Sequence, residues 1–218
     1  MEHIKTYNLT VFPSPSDPEN GGNPTTIFLA DTLTASEMQS LAPKHKHECG
    51  FILPAPENDA SCHYTMRYWV PNHEMKMCGH AIVGAVWVLR NLQLLPDAPS
   101  IRISTLSGVV EVRVVPTGNP DSTSETAPSS HSILVSQPTG IVEDIDPEHI
   151  LEILNSLDLK ETDLVPGLKV QNARTESPIV VRQGWLMGKP SEIRVWFRRE
   201  CGVLVGCWIS GEVRWVKE

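Results

Sequence analysis

Glu48 stands directly before the apolar run Cys49-Gly50-Phe51-Ile52. A carboxyl against such a wall has its charged form disfavoured, which moves its pKa toward neutrality and suits it to acid–base work. The plainer alternative is a solvated glutamate at a strand start. Cys78-Gly79-His80 opens the strongest helical pattern in the chain. Free N–H groups at a helix start attract anions, and Gly79 lets a carboxylate come close. That position also lowers a thiol's pKa, so Cys78 reads as a base or nucleophile and His80 as a proton carrier. Their alternatives are a small buried hydrophobe and a packed core imidazole. Asn23, ahead of Pro24, carries an amide able to orient a polar group, or simply shapes a turn. His45, His47 and Cys49 alternate along one face, and their types suit zinc. Pro43, Lys44 and Lys46 mark an exposed loop there, and no second ligand pair has fitting spacing, so no metal site is expected.

These residues need elements to hold them. Ile82, Val83, Val86, Leu89 and Leu92 recur at helical spacing with almost no charge between them. They predict a helix from Gly79 to Asn91, buried on nearly all sides. Strands are expected over 4–12, 25–30, 49–53, 62–70, 100–105 and 109–115, the last two joined by a Ser107-Gly108 turn. Thr34-Ala35-Ser36-Glu37 is a capping box for a short helix that Pro43 limits. Residues 116–130 are rich in Ser, Thr and Pro and divide the chain. A first lobe over 1–116, a linker over 117–131 and a second lobe over 132–218 follow. The second lobe should hold a strand over 132–137 and a helix opening at Asp146-Pro147, its apolar face made by Ile150, Leu151, Ile153, Leu154 and Leu157. Strands over 192–198, 202–209 and 212–216 close it, with Ser210-Gly211 as the turn of a final hairpin. Trp185, Trp196, Trp208 and Trp215 read as packing and interface anchors.

The 218 residues carry 18 Lys and Arg against 26 Asp and Glu, a net charge of −8. That sign, with no basic stripe, argues against nucleic acid as a partner. Hydrophobic residues at 40% are ordinary for a globular chain and argue against disorder. The longest apolar run, 81–89, is too short for a membrane span and is broken by Gly84. Five cysteines, an odd count without an apolar leader, lead to the expectation of free thiols and a cytoplasmic protein.

Four segments then occur in a telling order. They are Gly22-Asn23-Pro24 running to Phe28; Phe51 to Pro54, preceded by Glu48; Trp69-Val70-Pro71 followed by Glu74, Cys78-Gly79-His80-Ala81 and Gly84; and Gln183-Gly184 followed by Gly188-Lys189-Pro190-Ser191. This series resembles the PhzF-like (phenazine biosynthesis-like) isomerase family, relatives of diaminopimelate epimerase. The resemblance covers nearly all residues before 116 and most after 131. It implies an α+β fold of two pseudo-symmetric lobes, each a curved, mostly antiparallel sheet around a central helix. It places the active site in the cleft, at the N-termini of the central helices. It also implies that Glu48 moves a proton between carbons of a small acid without a cofactor. Cys78 and His80 would stand beside it, with Asn23, Gly79, Ala81 and Ser191 turned toward the substrate, in a homodimer.

The chain departs from that pattern in two places. His47 and Cys49 flank Glu48 where the family puts small hydroxyl residues. The second-lobe segment with an R-x-F-x-P piece and an acidic-Pro-Ala-Thr-Gly-Ser-Ala helix start has no counterpart between Val181 and Arg182. The second lobe is therefore expected to lack its central helix. Two functions follow: a proton-transferring isomerase, or a remodelled member. The latter would bind a small molecule, assist a cyclisation or tailoring step of secondary metabolism, or be inactive.

Overall fold

Alternation of apolar and polar residues makes strands the main element of the described chain. In the computed structural model, which describes residues 4–56, 61–116, 131–137, 155, 179–200 and 203–216, one sheet of twelve strands accounts for about half of those residues. The chain separates into two compact units, residues 1–138 with 178–218 and residues 139–177. All that follows concerns the first. The helix expected from Asp146 falls in the second unit, where Asn155 alone is described.

The strands are β1 Lys5–Val11, β2 Asn23–Leu29, β3 Cys49–Pro54, β4 Tyr64–Val70, β5 His73–Met75, β6 Ile101–Thr105, β7 Gly108–Pro116, β8 His131–Ser136, β9 Ile179–Gln183, β10 Ser191–Glu200, β11 Val203–Ser210 and β12 Val213–Trp215. Their order is β12-β1-β2-β3-β4-β6-β7-β8-β11-β10-β9, with β5 paired to β4 off this path. Pairing is antiparallel except for β2 with β3 and β4 with β6. Those two parallel pairs need crossovers, and two α-helices of the first unit supply them: α1, Ala35–Leu41, and α2, Gly79–Asn91. The fold is α+β.

α2 spans the residues its periodicity predicts. Ala81, Ile82, Val83, Ala85, Val86 and Val88 are fully buried, because the sheet curls around the helix and packs on it through β1, β2, β3, β8 and β12. Gly84 makes the closest approach possible: a Cβ there would stand 3.1 Å from Leu9 Cδ1 and 3.2 Å from Val11 Cγ2. A second, smaller core lies on the outer face, where Phe28, Met38, Ala42, Cys49, Phe51 and Trp69 pack under α1. The Thr34–Glu37 capping box forms as its spacing requires.

Backbone bonds from β1 to β10 complete the curl. Glu192 N–H donates to Phe12 O at 3.0 Å, Ser14 N–H to Pro190 O at 3.2 Å, and Pro13 bridges Ser191. Phe12 takes a φ of 63° to make this change of partner. The segment between β7 and β8 joins direct neighbours, since Val112 to Pro116 pair with Val135 to His131. The final hairpin expected at Ser210-Gly211 does not form. Both edges of β11 are already taken, by β8 and β10, so the chain passes Phe12 at Gly211 and β12 pairs with β1 instead. Between β9 and β10 the only helical piece among the described residues is a 3-10 turn, Trp185–Met187.

Candidate active site

The N-terminus of α2 gathers the residues with chemistry. Cys78 is the N-cap residue, and its carbonyl accepts from Ile82 N–H at 3.1 Å. The N–H groups of Gly79, His80 and Ala81 precede the first intrahelical bond and are left for a cap, water or an anion. Cys78 Sγ lies 3.4 Å from His80 Nδ1. Burial lowers the His80 pKa against the opposing pull of Glu48, so the ring favours its neutral form.

The expected activation of Cys78 is reversed here. Its thiol is buried and desolvation pushes it up to about 12; the Ala81 N–H comes next and pulls the other way, and Glu48 adds a smaller rise. Desolvation outweighs the pull of the helix-start amide because the sulfur sees little water. At neutral pH Cys78 is a thiol, not a thiolate.

Glu48 is half-buried just before β3, and its carboxylate hydrogen-bonds to no described residue. Its charge reaches Cys49, Cys78 and His80, raising the proton affinity of each. Two consecutive threonines hold its main chain: Thr25 Oγ1 donates to Glu48 O at 3.0 Å, and Thr26 N–H donates to the same oxygen at 3.4 Å. Gly50, on the inner face of β3, brings that strand to the helix start, since a Cβ there would lie 3.4 Å from the Ala81 Cβ and 2.9 Å from Ile27 Cδ1. Glu48, Cys78, Gly79, His80 and Ala81 thus converge.

Asn23 and Ser191 are each fixed at the start of a strand. Asn23 opens β2 opposite Val11 and is half-buried. Ser191 is 1% exposed and opens β10 at the Pro13 bridge; its hydroxyl donates to Lys189 O at 3.5 Å. The Glu74 carboxylate forms a bidentate pair with the Arg67 guanidinium across β4 and β5. His45 and His47 both meet Thr26, and no group of three metal-binding side chains is found among the described residues.

Sequence reasoning did not single out Gln137, just after β8, and Ile209 on β11, which face the helix start. A Cβ on Gly79 would lie 2.7 Å from Ile209 Cδ1 and 3.7 Å from the Gln137 amide. It also passed over Tyr68, a fully buried residue whose hydroxyl has no hydrogen-bond partner among the described residues. Burial, with the Cys78 charge second, raises the Tyr68 pKa well above the ordinary phenol. Nothing in their local sequence marks these residues, since each is an unremarkable strand or strand-end position. A cavity of about 600 Å³ opens at the other end of α2, between Leu29, Leu53, Leu89 and Leu94, away from this cluster.

The sequence profile described as "Phenazine biosynthesis-like protein" matches residues 15–196. The chain is 30% identical over 173 residues to the uncharacterized isomerase YddE of Escherichia coli K12, covering 78% of this chain and 52% of that protein. It is 33% identical over 95 residues to the uncharacterized isomerase YfhB of Bacillus subtilis, covering 43% and 31%. The chain thus spans about half the length, 52%, of the first of these relatives. Among solved structures it is similar to a Bacillus anthracis phenazine biosynthesis protein of the PhzF family, with a TM-score of 0.66 at 19% identity over 98% of both chains. A predicted epimerase of Pseudomonas aeruginosa matches with a TM-score of 0.64 at 16% identity, over 99% of this chain and 98% of that one.

Proposed function

The chain belongs to the phenazine biosynthesis-like (PhzF) family, and on that premise we propose that it is an isomerase or epimerase acting on a small carboxylate-bearing metabolite. The observation that carries this reading is the Glu48 carboxylate, without a hydrogen-bond partner among the described residues and within electrostatic reach of Cys78 and His80 at the start of α2. A substrate carboxylate would accept hydrogen bonds from Gly79, His80 and Ala81 N–H, favoured by the helix dipole. Glu48 would take a proton from an adjacent carbon, leaving the electron pair delocalised toward that carboxylate. It would then return the proton to the same or a conjugated carbon. Neutral His80 is suited to donate a hydrogen bond to the developing negative charge. Cys78, held as a thiol, serves as a neutral wall or proton donor and not as the base. Asn23 and Ser191 are assigned to substrate contacts on the resemblance alone.

The same proposal includes a cytoplasmic protein working without a cofactor, built of a first lobe over 1–116 and a reduced second lobe over 132–218, and forming a homodimer. Trp185, Leu186 and Met187 support self-association, since they expose 53%, 105% and 79% of their surface on one turn.

The test is solvent exchange. The purified chain, its mass checked by sedimentation for the dimer, is incubated in D2O with carboxylic metabolites carrying an acidic C–H. Deuterium should enter one of them, and Glu48→Gln should slow that entry by about 10²- to 10⁴-fold. Undiminished exchange in Glu48→Gln would remove Glu48 from the reaction. A second reading, a binding or tailoring protein without proton transfer, draws on one observation. β9 runs unbroken through Val181 and Arg182, where the family carries its second helix start. Ligand binding with no exchange in the wild type would favour it.

A further inference from the structure

Thr26 is fully buried, yet its hydroxyl serves three partners. Oγ1 lies 2.9 Å from Asn8 Oδ1, 3.0 Å from His45 Nδ1 and 2.9 Å from His47 Nε2. A hydroxyl has one proton to give and two lone pairs to accept with, and an amide oxygen only accepts. One assignment satisfies all three contacts. The hydroxyl donates to Asn8, and each imidazole donates an N–H to the hydroxyl. The proton of neutral His45 is then on Nδ1 and that of neutral His47 on Nε2. The two rings reach one oxygen because Lys46 between them turns the chain with a φ of 59°, which leaves the ring centroids 6.0 Å apart.

This cluster lies at the back of the active site. Side chains alternate across a strand, so Thr25 and Thr26 work on opposite faces of β2. Thr25 faces α2 and holds the Glu48 carbonyl, while Thr26 holds the two rings that precede Glu48. We propose that Thr26 is a positioning residue for Glu48: its hydroxyl gathers His45 and His47, in complementary tautomers, into the turn that aims the carboxylate at the start of α2. The proposal rests on Glu48 being the acid–base group. It is a property of this chain, because His47 stands where the resemblance puts a small hydroxyl residue. Lys44 and Lys189 add positive charge near the rings, Glu48 adds negative charge, and His80 lies within electrostatic reach of His47. Burial heads the causes that keep both rings neutral.

The test uses the full chain labelled with ¹⁵N and ¹³C and needs no substrate. Two-bond ¹⁵N–¹H correlation spectra near neutral pH should show His45 protonated on Nδ1 and His47 on Nε2, each as a single tautomer. The opposite tautomer on either ring, or rapid mixing of both, overturns the proposal. Thr26→Val should lose both fixed tautomers and shift the carboxyl ¹³C resonance of Glu48, and Thr26→Ser should restore them. A Thr26→Val protein that keeps its fold, its tautomers and its Glu48 resonance also overturns it. If Thr26→Val does not fold, the wild-type tautomers and the Thr26→Ser spectrum decide. These spectra are independent of turnover. Loss of the isomerase reading in Glu48→Gln would therefore leave the tautomers standing, and wrong tautomers would leave the exchange result standing.

Discussion

At Cys78 two effects pull the thiol in opposite directions, and their relative size decides its chemistry. A helix start favours the thiolate, but the side chain is 5% exposed and burial pushes it up to about 12. Cys49 is buried and also pushed up to about 12. Cys207 is less buried, and its rise is correspondingly smaller. Iodoacetamide applied to the native protein near pH 7.5 should therefore leave Cys78 and Cys49 unmodified while Cys207 reacts, with peptide mass mapping as the readout. Rapid native labelling of Cys78 would mean that helix polarity wins and would return the thiol to the list of bases. The position of Cys78 beside His80 and near Glu48 was legible from motif order, whereas its protonation state was not. Local sequence marks the helix start, but burial comes from strands far along the chain. Thr25, Thr26 and Gln137 were illegible for a related reason. Threonine in a strand is ordinary, and nothing local tells a hydroxyl that faces solvent from one that holds the turn before Glu48.

Among the elements, α2 was the most legible, because its apolar residues leave no polar face to misplace and its limits coincide with Gly79 and Asn91. Strand positions were legible by alternation, but partners were not. The hairpin expected between β6 and β7 forms, with its turn at Leu106-Ser107, one residue earlier than read, while Ser210-Gly211 looks similar in sequence and leads β12 to β1. The difference lies in which edges are free, and that depends on the whole sheet. The closure by β1 and β10 rests on a tight contact of this kind. A Cβ on Gly21 would lie 2.2 Å from the Pro190 carbonyl oxygen, a backbone atom that cannot swing aside. Gly21→Val should therefore separate the loop before β2 from the turn before β10. The expected cost is about 1–3 kcal/mol in urea unfolding, the usual range for overpacking. The amides of Ser14 and Gly22, which donate to Pro190 O, should exchange faster with solvent in the variant. Unchanged stability and unchanged protection would show that this contact does not hold the sheet closed.

For the molecule as a whole, three half-buried histidines set a direction of acid response. His45, His47 and His80 all have pKa values lowered below the free imidazole value of 6.5, with burial as the first cause in each. A group whose folded pKa is lowered binds fewer protons in the folded state than in the unfolded chain. Stability then rises with pH through the window between the two values. Above 6.5 both states are unprotonated and the three rings contribute no slope. As pH falls through 6.5, the unfolded chain gains protons that the folded site resists, and stability is lost down to the folded pKa values. Thermal melts from about pH 7.5 to about pH 5.5 should accordingly show a falling midpoint, with the change beginning near the free imidazole value. His47→Asn keeps a polar side chain but removes one titrating ring, so its melting curve should lose part of that slope. A midpoint that is flat or rising between these two pH values would mean that the rings are solvated and charged in the folded protein. The turn ahead of Glu48 would then be held by something other than neutral imidazoles on the Thr26 hydroxyl.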